Sequence, residues 1–269
     1  MKKISNILLS ILFMGMGKIK KISALFAIMG ILGLISPLSS SALLLSDPSG
    51  LSATADFTLI NPNTLQIVLT NTSTGYPSYF EGAGLNSNIL LTSIAFNLGG
   101  ISILGGSVIV PPGSSTVNFD DVGSQLTGGA DISVEWGYGN AGTTGFGSLV
   151  NYVSAMQAGT TSFQSVDLAH PNLDGSDTTL NGPQGGLISD TLYPSVGVGG
   201  LGAVLDSVTI TLDLSDVIDD DLSFLDNGVI VEFGSDAAFV PVPEPATMLL
   251  FGSGLIGLAV VGRKKFRKN

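Results

Sequence analysis

The 269-residue chain contains no cysteine, one histidine, one tryptophan and, between Lys21 and Arg263, no lysine or arginine. The missing thiol removes disulfides, thiolate metal centres and cysteine nucleophiles from the possible chemistry. The missing cation constrains the chain further. All ten Lys and Arg lie in 2–21 and 263–268, all 21 Asp and Glu lie between Asp47 and Glu244, and the formal net charge is −11. The interior therefore holds no Lys or Arg salt bridge, and its carboxylates must be satisfied by water, backbone donors, one another or bound cations. Nucleic acid is not an expected partner, because nothing in the interior neutralises phosphates. The negative charge favours solubility and repels anionic surfaces. With 44% hydrophobic residues arranged in patterns, the chain does not read as disordered.

The two basic ends flank apolar segments. Lys18-Ile19-Lys20-Lys21 precedes an apolar run from Ile22 to Ile35, followed by Pro37 and the small residues Ser40-Ser41-Ala42. That order is the order of a secretory signal peptide, with cleavage expected after Ala42 by signal peptidase and export by the general secretion machinery. Lys2-Lys3 with Ile4 to Phe13 looks like a second start of the same kind, so translation begins at Met1, Met14 or Met16.

At the other end, Pro243-Glu244-Pro245 is followed by an apolar run from Ala246 to Gly262 and then by Arg263, Lys264, Lys265, Phe266, Arg267 and Lys268. As a helix the run reaches about 25 Å, enough to just span a roughly 30 Å hydrocarbon core with its ends snorkelling. The basic cluster then stays cytoplasmic as a stop-transfer tail. The two prolines keep the preceding peptide extended, a form that a processing enzyme can grip. Val-Pro-Glu-Pro-Ala-Thr, a helix with Gly252, Ser253, Gly254 and Gly257, and a terminal basic cluster together resemble the PEP-CTERM sorting signal of exosortase substrates. The resemblance implies an exosortase as partner, a precursor held in the cytoplasmic membrane, release to the cell surface or beyond, and a bacterium that makes exopolysaccharide, itself a possible partner.

Between the ends the periodicity is that of β-structure. Ala55 to Ile60 and Thr64 to Thr70 alternate at period two around Asn61-Pro62-Asn63, which predicts a hairpin with a three-residue loop. Further strands are expected at Ile89 to Phe96, Ile101 to Leu104, Ser107 to Val110, Ser115 to Phe119, Ile132 to Trp136, Val204 to Leu212 and Gly228 to Phe233, punctuated by Gly and Pro. A short helix is plausible within Gly147 to Ala158. The fold class is all-β: a jelly-roll-like β-sandwich ectodomain, with an N-terminal signal helix and a single C-terminal transmembrane helix. The expected divisions are signal peptide 1–42, ectodomain 43–240 and sorting signal 241–269. The hairpin ending Thr70-Asn71-Thr72-Ser73, Gly129 to Tyr138, Asn172-Leu173-Asp174-Gly175, Ser207 to Leu212 and Val231-Glu232-Phe233-Gly234 also resemble the ectodomain of a group of exosortase-dependent surface proteins.

No catalytic constellation stands out. His170 sits before Pro171 in a polar loop, and no Gly-x-Ser-x-Gly elbow accompanies it, so no triad is expected and His170 reads as a surface histidine. No framework singles out a glycosidase-type pair of carboxylates. Calcium is the best small-ligand candidate, with Asp174 and Asp177 in one acidic loop and Asp216, Asp219 and Asp221 in another. Neither loop fits the EF-hand spacing, and the plainer reading is solvated acidic loops with no metal and no cofactor. Trp136 beside Tyr138 is either a sugar-stacking platform or a core residue. The sequence thus predicts an exported, exosortase-sorted, non-enzymatic surface or matrix protein. The alternative is a secreted carbohydrate-binding or glycan-acting domain using the same route.

Overall fold

The computed structural model describes residues 39–80, 85–118, 126–141, 149–156, 172–175, 185–195, 202–218, 222–234 and 238–241. The expected signal helix and transmembrane helix lie outside these residues, and among the described ones no helix is long and apolar enough to cross a membrane. The described residues belong to the unit Ser39–Asn269.

Among the described residues thirteen strands run in chain order: β1 Ser40–Ser46, β2 Ser52–Asn61, β3 Thr64–Asn71, β4 Leu91–Phe96, β5 Ile103–Ile109, β6 Ser115–Val117, β7 Gly137–Gly139, β8 Asn151–Ser154, β9 Gly186–Ile188, β10 Ala203–Leu205, β11 Ser207–Leu214, β12 Ile230–Phe233 and β13 Ala238–Pro241. They form two sheets. The first has five antiparallel strands in the order β1-β2-β3-β11-β5. The second has eight strands along β13-β12-β4-β9-β10-β6, with β8 joining β4 to β7. One core unites them: Phe57, Ile67 and Ile210 of the first sheet and Ile94, Phe96 and Val231 of the second are fully buried in the same cluster. Phe57 meets Phe96 edge-on at 5.9 Å and Phe224 at 6.0 Å, the geometry that aromatic quadrupoles favour.

Period-two patterning accounts for the first sheet. Residues alternate inward and outward along β2 and β3, and Phe57, Leu59, Leu65, Ile67, Leu69, Val208, Ile210 and Leu212 all point into the core as expected. Strand β4 is buried on both faces. Ile94 and Phe96 enter the main core, while Ala95 joins Leu149, Tyr152 and Ile230 in a second small cluster.

Several expectations are corrected. The jelly-roll-like form does not carry over in detail, because the sheets have five and eight strands and β9 and β10 pair in parallel. The hairpin connection is Pro62-Asn63, with Asn61 paired to Thr64 and a bulge just before it. Ile101 to Leu104 and Ser107 to Val110 are not two strands. Gly105-Gly106 lies inside β5, where a Cβ on Gly106 would collide with the Thr211 carbonyl oxygen of β11, so this glycine pair marks close backbone approach instead of a turn. Val204 to Leu212 divides at Asp206, whose φ of 69° turns the chain out of the second sheet and into the first. Ile132 to Trp136 holds a 3-10 turn over Ser133–Glu135. Gly147 to Ala158 holds no helix among its described residues: Asn151–Ser154 is strand β8, paired on both sides. Strands β1, β7, β9 and β13 are not among the strands expected from sequence.

Candidate functional site

The described β-domain leads toward the sorting region through the edge pair β12 and β13. Val229 to Phe233 is an apolar run broken by Glu232, and β12 built from it pairs with β4 on one side and β13 on the other. Along β13 the register is Phe233↔Ala238, Glu232↔Phe239, Val231↔Val240 and Ile230↔Pro241. Val240 is buried in the core and Pro241 is exposed. The ladder therefore ends one residue before Val242 and two before Pro243. A terminal proline suits that place, since its ring ends hydrogen-bonded pairing. Pro243, Glu244 and Pro245, and the basic residues Arg263, Lys264, Lys265, Arg267 and Lys268, lie outside the described residues. The other end of the domain is β1, an edge strand of the first sheet, in which the expected signal-cleavage residue Ala42 is exposed and pairs with Asp56. Cleavage after Ala42 leaves Leu43 to Ser46 of this strand in the mature chain.

A buried polar row crosses the second sheet behind this pair. Ser93 Oγ donates to Glu232 Oε2 at 2.9 Å and lies 2.7 Å from Ser154 Oγ, and the three residues are direct cross-strand neighbours on β12, β4 and β8. Thr92 Oγ1 donates to the Gly234 carbonyl at 2.7 Å, closing the end of the same strands. All four side chains are buried. A carboxylate taken out of water needs such donors, because an uncompensated buried charge is very costly. The arrangement holds three strands in register. Its sequence signal is a lone acid, Glu232, within an apolar strand.

Trp136 is fully buried, in keeping with its reading as a core residue and against the sugar-platform alternative. Its Nε1 is, among the described residues, the one buried side-chain polar atom without a hydrogen-bond partner, and a Cβ on Gly185 would lie 3.4 Å from it. Next to it, burial pushes the Glu135 carboxyl above the ordinary range. Burial also raises the Tyr138 phenol, whose hydroxyl donates to the Leu104 carbonyl at 2.9 Å.

The calcium candidates fare unevenly. Asp174 and Asp216 are exposed, and Asp216 Oδ1 accepts the Val217 amide at 2.8 Å. Asp177, Asp219, Asp221 and His170 lie outside the described residues. Among the described residues no group of three or more His, Asp or Glu is placed to hold a metal ion.

Residues 241–265 match the PEP-CTERM protein-sorting motif. The chain carries this sorting motif, which implies an exported protein targeted to an exosortase and processed from a membrane-anchored precursor toward the cell surface. No curated protein and no solved structure matches the chain.

Proposed function

We propose that this chain is a non-enzymatic structural protein of the bacterial surface or extracellular matrix. In this reading signal peptidase and the general secretion machinery export it, and the tail Ala246 to Gly262 holds the precursor in the cytoplasmic membrane. An exosortase then releases the domain at Val242-Pro243-Glu244-Pro245, leaving it among the cell's exopolysaccharide. The observation that carries the reading is the PEP-CTERM match starting at Pro241, the last residue of the last described strand. The folded domain and the sorting signal are thus directly continuous. Burial of Trp136 takes away the feature that motivated a glycan-stacking alternative. The test is fractionation of cells expressing Glu244→Ala: the variant is expected to accumulate uncleaved in the membrane fraction while the wild type leaves it. Wild-type-like release of Glu244→Ala contradicts the assignment.

A further inference from the structure

Strand β13 stands immediately before the peptide that the proposed function assigns to the exosortase. Its last ladder residue, Pro241, is paired with Ile230, and Pro243 follows two residues later. Two extended residues span at most about 7 Å. A protease encloses several residues on each side of the bond it cuts, in extended form and through their backbone groups. With β13 in place those groups on the N-terminal side are engaged with β12.

The construction of β13 fits release. It is a four-residue strand at the end of the second sheet, hydrogen-bonded among the described strands to β12 alone. It begins after 235–237, and its partner β12 is held from its other side by β4 and by the Ser93 to Glu232 bond. Peeling β13 away exposes Val240 and leaves the β12–β4–β8 row intact.

Resting on the proposed sorting function, we propose that β13, paired up to Pro241, must leave β12 before the exosortase can engage and cut the adjoining motif. The domain's last strand then sets the rate at which the folded precursor is released. It also marks a folded precursor off from an unfolded one, whose segment is accessible from the start.

Absence of cysteine throughout the chain makes the test direct. Val231 and Val240 face each other across β12 and β13, so Val231→Cys with Val240→Cys locks the strand when oxidised. Cleavage of the full-length precursor is followed in exosortase-containing membranes by loss of the basic tail in the intact mass. The locked precursor is expected to be cut at least tenfold more slowly than wild type, and reduction is expected to restore the rate. Inserting eight Gly and Ser residues between Pro241 and Val242 is expected to speed cleavage of the wild type and to rescue the locked form without reduction. Equal cleavage of locked and reduced protein, or no gain from the insertion, overturns the requirement for β13 release. A wild-type precursor left uncut in the same membranes overturns the sorting reading itself.

Discussion

Single residues in this fold divide by what a Cβ or a proton meets. At Gly106, φ is +156° and an added methyl strikes the Thr211 backbone of the neighbouring strand, whereas Gly99, at φ +66°, has nothing within 4 Å. Gly106→Ala is therefore expected to cost on the order of 4 kcal/mol and Gly99→Ala about 1 kcal/mol, the price of a left-handed non-glycine residue alone. Urea unfolding of the two variants checks the ordering, and comparable losses would contradict the close approach of β5 to β11. Glu135 makes a pH prediction. Burial raises its folded pKa above the reference 4.5, so folding favours the protonated acid. The associated stability is present below the unfolded pKa and is lost as pH rises through the higher folded value. Glu135→Gln removes this dependence, so its melting temperature should gain on the wild type as pH rises from about 4 toward 7, and parallel curves would contradict the burial effect.

At the scale of elements, strands with one buried face were legible in the sequence and elements fixed by long-range pairing were not. The β2–β3 hairpin and β11 alternate plainly, and all eight side chains expected inside are inside. Ile67→Asp is accordingly expected to prevent folding, since an unpaired buried charge costs several kcal/mol against a total of about 5 to 15, while Gln66→Asp on the outer face leaves a cooperative transition. Circular dichroism distinguishes them, and a folded Ile67→Asp would contradict the assigned face. Strand β8 was hidden because Tyr152 and Val153 are buried on opposite faces of the sheet, against different clusters, so no alternation appears. Gly105-Gly106 reads as a turn locally, and only contact with β11 reveals it as strand. Asp206 gives no local warning that the chain changes sheets there. Strands β1, β9 and β13 are short or lie in segments whose composition suggested processing sites. Of the functional positions, the sorting signal was legible because it is a linear pattern of proline, apolar length and charge. The Glu232–Ser93–Ser154 row was not, because its members come together only through the sheet.

At the scale of the molecule, the charge map governs behaviour. No Lys or Arg lies between Ile22 and Gly262, so trypsin should leave the mature domain uncut even in denaturant, and fragments on a gel would contradict the predicted ends. The carboxylates repel one another without internal cations, and salt screens them over about 10 Å at 0.1 M, so the melting temperature should rise with sodium chloride. A larger rise with calcium at matched ionic strength would assign a specific site to the Asp174–Asp177 or Asp216–Asp221 loop, and equal rises would leave screening alone. The proposed function gives the chain one history: made with two removable ends, folded between them, and freed at the second. Intact-mass measurement of wild-type protein recovered from the cell surface tests that history most directly. The account predicts a species that ends within or near Val242 to Pro245 and lacks Arg263 to Lys268, and a surface-exposed species still carrying Lys268 would contradict it.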